Sequence, residues 1–307
     1  MFDQASRRTR FSDWRAVLAL VVVLLVASCT STTATRQGGH VFRDCKDCPE
    51  LVVVKLPLDA VAPEPGTRSV AIAVGRYEIT VDEFRAFLTQ TETPATATCF
   101  FPFGKYRIED LESYTWEHPG GLGEYQPSGR DPAICVSWFE AQAYVTWLSQ
   151  KTGQHYRLPS DAELKYLANG DATTRYPWGD RSADACTFAN GLDEAAGAQD
   201  WMKSSAARSA LLGCNDRRAY IAPVGSYKQN AFGLYDTVGN VNEWTSTCGT
   251  DLSGAQTDDG DCPGFFIRGG SWFDGVVGLS NDRRAPAPPP NTHLPTIGFR
   301  VIRVLSD

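Results

Sequence analysis

This 307-residue sequence lacks most of the groups that announce a function. Histidine is scarce. His40, His118, His155 and His293 are widely spaced and form no HxxxH pair, so nothing suggests a histidine-ligated metal. There is no excess of positive charge. Lys and Arg number 29 against 36 Asp and Glu, a net charge of −7, which excludes the basic face that nucleic acid requires. The apolar run Ala16–Ala27 is twelve residues, short of the ~20 that a spanning helix needs. No internal repeat and no second linker are visible, which favours one large domain over two small ones. Regular structure is sparse as well. Beyond the aromatic turn Tyr176–Asp180 the chain reads as irregular, apart from short strands at Phe265–Ile267 and Phe299–Val304.

What is present begins with export. Arg7, Arg8, Arg10 and Arg15 precede the apolar run, which ends in Val26-Ala27-Ser28-Cys29. Small residues before a cysteine resemble a bacterial lipoprotein box, with Cys29 lipidated after removal of residues 1–28; an ordinary signal peptide is the alternative. Residues 29–42 read as a tether, Ser/Thr-rich over Thr30–Gly39, and 43–307 as the domain. Without its leader, which carries four Arg and two Asp, the chain has a net charge of −9. This suits a periplasm-facing envelope protein held to a membrane by its lipid, with carboxylates available for cations. Its partner would be an envelope protein or a small molecule.

Eight cysteines follow Cys29, an even set that reads as disulfides in an exported chain. Sequence alone leaves 105 pairings open. Nearest-neighbour pairing gives Cys45–Cys48, Cys99–Cys135, Cys186–Cys214 and Cys248–Cys262. A redox or zinc role for Cys45-Lys-Asp-Cys48 is the alternative.

Strands are expected at Leu51–Leu56 and Val70–Tyr77, both β-branched. Three capping boxes mark helix starts: Thr80 with Glu83, Ser137 with Glu140, and Ser160 with Glu163. The second helix carries Ala141, Tyr144, Val145 and Leu148 on one face and stops at Gly153. Pro94–Gly129 is a long aromatic loop holding Phe100, Phe101, Phe103, Tyr106, Tyr114, Trp116 and Tyr125; most of these rings read as core or loop packing, and a few are candidates to line a substrate.

From Cys135 onward the motifs come in a recognisable order. They include Cys135-Val-Ser-Trp138, Tyr156-Arg-Leu-Pro-Ser160, Pro177-Trp-Gly-Asp180, Asn230–Tyr235, Gly239-Asn-Val-Asn-Glu-Trp244, Arg268-Gly-Gly-Ser-Trp272 and Gly298-Phe-Arg300. Over about residues 43 to 305 the chain resembles the sulfatase-modifying-factor family, founded on the formylglycine-generating enzyme. The resemblance implies a compact, loop-rich, C-type-lectin-like α+β fold, here stapled by disulfides. It also implies structural calcium. One site would use Asp236, the carbonyls of Gly239 and Val241 and the Glu243 carboxylate, with the Thr237 carbonyl as a further candidate. The other would use Asn190, the Gly191 carbonyl, Asp216 and the Arg218 carbonyl. Hard oxygen donors suit Ca²⁺; the plainer reading is a β-turn in which Asp236 caps free N–H groups.

The founding activity needs two cysteines that bind copper(I) just beyond the RGGS-type motif. Here those positions are Asp274 and Leu279, so copper is not expected. The sulfoxide-synthase branch needs histidines that this chain lacks. An exported pyoverdine-maturation branch also lacks the copper cysteines and is the nearer analogue. Two readings remain. One is a non-copper tailoring enzyme with a pocket around Trp272, Asp274, Asn281, Arg283 and Arg284, where Asp274 is a general base and an arginine fixes an acidic group. The other is a lipid-tethered binding or scaffold module, its pocket rim stiffened by Pro286–Pro290.

Overall fold

The computed structural model describes residues 39–57, 69–92, 98–105, 107–203, 206–249 and 262–305. The leader, Cys29 and most of the tether lie outside them.

Two sheets form the frame. The first contains β1 (Val41–Phe42), β2 (Leu51–Pro57), β3 (Ser69–Gly75), β8 (Ile302–Val304) and β4 (Tyr156–Arg157), side by side in that order. Every pairing in it is antiparallel. The sheet thus already includes Val41 and Phe42, two residues read from sequence as tether. The second sheet has β5 (Asn242–Gly249) at its centre. It pairs antiparallel with β6 (Gly264–Arg268) and parallel with β7 (Ile297–Gly298).

Three helices begin where the sequence places them. In α1 (Val81–Thr91), α2 (Trp138–Thr152) and α3 (Asp161–Asn169), the N-cap hydroxyl accepts the N3 amide, and the N3 glutamate returns to the N-cap backbone. Each such cap contributes about 1 kcal/mol. Gly153 ends α2 in the left-handed conformation, φ 67°. Phe84 and Phe87 of α1 pack on Tyr144 of α2, with ring centroids 6.4 and 5.6 Å apart, and Tyr144 in turn meets Phe299 at 5.3 Å. This is the centre of the larger core, which also takes in Trp244 and Trp272.

All four nearest-neighbour disulfides are present. Cys99–Cys135 ties the long loop to the start of α2, and the loop buries Phe101 and Trp116.

The expectation of irregular chain after Asp180 is corrected by β5. Its first four residues, Asn242, Glu243, Trp244 and Thr245, are all buried, so it has no period-2 alternation to read. Two one-turn helices, α4 (Ala185–Phe188) and α5 (Glu194–Gly197), lie in the same half, too short to have a periodicity.

Candidate functional site

The turn before β5 is built around Gly239 and Asn240. Gly239 has φ 83°, and a Cβ there would lie 2.3 Å from the Asn190 carbonyl oxygen, so only glycine fits. Asn240 is fully buried. Its amide donates to Glu78 (2.7 Å) and the Ala222 carbonyl, and its oxygen accepts from Ala222 N–H and Asn190 Nδ2. Next to this hub, Arg300 contacts both oxygens of Glu243 at 2.6–2.8 Å and donates to the carbonyls of Gly75 and Tyr235.

Three buried carboxylates, Glu78, Asp236 and Glu243, thus act on one guanidinium. Burial pushes Asp236 up to about 6, against the Gly225 amide bond and Arg300, which favour its charge. Burial, then the Asp236 and Glu243 charges, lifts Glu78 far above the usual carboxylate range. Negative charge is in excess here.

These contacts bear on both candidate calcium sites. At the Asp236 site, Oδ2 accepts from Gly225 N–H, while Oδ1 is buried without a hydrogen-bond partner. Glu243 is engaged by Arg300. At the Asn190 site, Oδ1 of Asn190 is likewise buried and unpartnered. Asp216 accepts from Arg218 N–H and Tyr227 OH, and burial pushes it up to about 6. Each site therefore has one buried oxygen without a hydrogen-bond partner, the donor type that Ca²⁺ takes, while its other carboxylate oxygens are already engaged. Among the described residues, no three His, Cys, Asp or Glu side chains converge as a metal cluster.

The RGGSW loop is held from both sides. Arg268 is buried and grips both Asp161 oxygens, at 2.9 and 3.0 Å, and also donates to the carbonyls of Asn281 and Arg283. Gly269 and Gly270, at φ 101° and 75°, turn the chain back. The buried Trp272 donates to the Pro295 carbonyl.

At the two copper positions the chemistry has changed. One Asp274 oxygen accepts from both the N–H (2.9 Å) and the hydroxyl (2.7 Å) of Ser271. Leu279 is fully buried in a small core with Tyr176, Leu212 and Val238.

The five residues read as a pocket have separate attachments. Asn281 is buried, its amide on the Thr174 carbonyl, with its own oxygen unpartnered. Arg283 is exposed. Arg284 lies 3.9 Å over the Phe266 ring and 3.6 Å from Asp161. The proline run follows the outer edge of β6, where Pro288 accepts from Phe265 N–H, and Pro290 accepts from Trp138 N–H at the head of α2.

Beside Trp272 stands an aromatic cluster that sequence reading only half found. Phe101 meets Trp272 and Phe273 at 4.9 Å, and Phe103 stacks on Phe273 at 5.3 Å. Trp201 and Tyr220 complete it, joined by a hydrogen bond from the Trp201 indole to the Tyr220 hydroxyl. Phe103 is 61% exposed. At the rim Asp200 is held down to about 2 by Lys105 and Lys203. Phe101 and Phe103 were legible as loop aromatics. Trp201 and Tyr220 were missed, because isolated rings in irregular chain give no periodic signal.

The profile of the sulfatase-modifying factor enzyme 1-like domain matches residues 29–305. The chain belongs to this family. Its relatives include both active and inactive members. An inactive C-alpha-formylglycine-generating enzyme 2 from Bos taurus is 30% identical over 177 residues, 56% of this chain and 49% of the relative. A formylglycine-generating enzyme from Mycobacterium tuberculosis is 32% identical over 134 residues, 43% of this chain and 39% of the relative. The chain thus spans half or less of the length of these two. The solved structure of PvdO from Pseudomonas aeruginosa is 30% identical, with a TM-score of 0.62, and the match covers 87% of this chain and 99% of PvdO.

Proposed function

We propose that this family member is an exported, lipid-tethered binding module of the cell envelope and does not generate formylglycine. The observation that carries the reading is the pair Asp274 and Leu279. A carboxylate occupied by Ser271 and an aliphatic side chain in the core offer copper(I) no soft donor. The eight cysteines after Cys29 are paired among themselves and cannot take over the role.

What remains at the loop is the aromatic cluster. Its exposed Phe103 and part-exposed Phe273 offer a ligand a flat apolar surface, and Trp272 and Trp201 hold those rings in place. Ca²⁺ at the Asp236 and Asn190 sites would neutralise buried carboxylate charge and hold the turn before β5. It would have a structural role.

The test is a peptide of the Cys-x-Pro-x-Arg type incubated with copper, oxygen and the protein. No aldehyde is expected, and aldehyde formation would overturn the reading. Radiolabelled fatty acid incorporated at Cys29, and lost in Cys29→Ser, tests the anchor separately.

A second reading is favoured by the nearly full-length match to PvdO. In it, this is a non-copper tailoring enzyme whose substrate lies on the same aromatic surface. Turnover of a candidate substrate that survives Phe103→Ala would argue against that placement.

A further inference from the structure

One of the disulfides differs from the rest. Cys99–Cys135, Cys186–Cys214 and Cys248–Cys262 join positions 36, 28 and 14 residues apart, whereas Cys45 and Cys48 are separated by 3. In the chain-entropy view, stabilisation by a cross-link grows with the loop it closes, so this bond contributes least to the fold. It lies within the connection between β1 and β2 and ties no distant element to it.

The connection is held without it. The Arg43 guanidinium donates to the Cys48 carbonyl at 2.6 Å and pairs with Glu50 at 2.9 Å, and Glu50 also receives Arg76 at 3.1 Å. On the other side Asp44 accepts from Arg303 at 2.6 Å and from the Tyr156 hydroxyl. The Cys48 N–H donates to the Cys45 carbonyl, closing the turn, and the buried Pro49 fixes the backbone after it. Opening the S–S bond leaves all of these contacts intact, so the two sulfurs stay within reach of each other.

The two cysteines are also unequally placed. Cys45 is part-exposed and Cys48 is fully buried. Among the described residues no other disulfide combines the two. Cys99 and Cys135 are both buried, Cys186 and Cys214 are both half-buried, and Cys248 is exposed with Cys262 half-buried.

We propose that Cys45–Cys48 is a thiol–disulfide exchange site that accepts two electrons from a dithiol partner. The partner's first thiolate attacks the Sγ of Cys45, the reachable residue. The Cys45–Cys48 bond breaks, and the Cys48 Sγ leaves with the electron pair and takes up a proton. The partner's second thiol gives up its proton and attacks the partner's own sulfur in the mixed disulfide. That closes the partner's disulfide and releases Cys45 as a thiolate, which is protonated in turn. The sum is one disulfide reduced and one dithiol oxidised, with two protons carried across.

The buried Cys48 sets the preference for a dithiol. A monothiol bonded to Cys45 faces Cys48, which the short turn holds beside it. Cys48 attacks back, and the monothiol is expelled before a second one arrives. Only a second thiol on the same partner competes at a comparable local concentration. This chemistry is separate from the aromatic surface around Phe103, and failure of either reading leaves the other standing.

The test uses the full chain with Cys29→Ser, so that the eight paired cysteines are its only source of thiols. It is treated with dithiothreitol, or with reduced glutathione at the same thiol concentration, and free cysteines are alkylated and located by mass spectrometry. Dithiothreitol is expected to open Cys45–Cys48 while Cys99–Cys135 and Cys186–Cys214 stay closed and the domain still melts cooperatively. Glutathione should open it at least tenfold less. In Cys48→Ser the returning sulfur is gone, and oxidised glutathione should load onto Cys45 at least tenfold faster than onto Cys48 in Cys45→Ser. A bond that opens only together with the other two, or whose opening collapses the fold, overturns the proposal. So does equal opening by the monothiol, and so does equal loading of the two single variants. If either variant fails to fold, the comparison of dithiothreitol with glutathione on the parent decides.

Discussion

Arg300 holds both oxygens of Glu243 at 2.6–2.8 Å, and neither side chain reaches solvent. The pair joins the end of the chain to the start of β5, and its remaining N–H groups reach Gly75 and Tyr235. Removing one partner leaves the other charge buried without compensation. Arg300→Met is expected to cost about 3–5 kcal/mol, measured by urea unfolding of the domain. A loss under about 1 kcal/mol would mean that water or a cation replaces the guanidinium.

The Asp236 carboxyl gives a pH dependence of definite sign. Burial raises it from 3.8 to about 6 in the folded protein. Its contribution to stability is whole below about 3.8 and is lost as pH rises through about 6. With chelator present, the domain should lose on the order of 2–3 kcal/mol from this group between pH 4 and pH 7. Asp236→Asn keeps an acceptor for Gly225 N–H and should flatten that part of the profile. An unchanged slope in the variant would assign the effect elsewhere.

Calcium should reverse the same penalty. At saturating Ca²⁺ the melting temperature is expected to rise by about 5 °C or more over the chelated protein. Asp236→Asn and Asn190→Ala should each remove part of the rise. Superimposable melts with and without chelator would retire both sites.

Leu279 and Asp274 should respond to mutation to very different degrees. Leu279→Ala empties a core position and is expected to cost about 2–5 kcal/mol. Asp274→Asn keeps an acceptor for the Ser271 hydroxyl and should cost under about 1 kcal/mol. Thermal and denaturant melts of the two variants check this. A mild Leu279→Ala would place that side chain outside the core.

The aromatic cluster separates binding from folding. Phe103 is largely exposed, so Phe103→Ala should change stability by no more than about 0.5 kcal/mol while weakening any ligand held at this surface. Trp272 is buried and hydrogen-bonded, and Trp272→Ala is expected to cost about 3–5 kcal/mol. Ligand affinity that is insensitive to Phe103→Ala would place the binding surface elsewhere.

Much of the frame was legible because its signals are local. The Thr80, Ser137 and Ser160 caps each announce a helix within four residues, and the β-branched runs of β2 and β3 alternate or stay apolar. The disulfides follow sequence proximity. By contrast, β5 is hidden by its buried Asn242, Glu243 and Thr245, whose partners Thr296, Arg300 and Phe266 lie far along the chain. The site was legible at Asp274 and Leu279 as a loss of thiols, but not as geometry. That Arg284 faces Asp161 and Phe266, and that Arg268 clamps α3, depends on contacts more than a hundred residues apart in two of the three cases.

The position of β7 and β8 has a bearing on biogenesis. These two short strands lie at Ile297–Gly298 and Ile302–Val304, far along the chain from their partners, yet one completes the second sheet and the other sits between β3 and β4 in the first. Until they have emerged, β4 has no partner strand, β3 has an open edge, and Glu243 has no Arg300. Neither sheet can therefore be completed before residues 297–304 are available, so the earlier strands depend on long-range contacts that form late. A stop codon before Ile297 would yield material for proteolysis and no shortened domain.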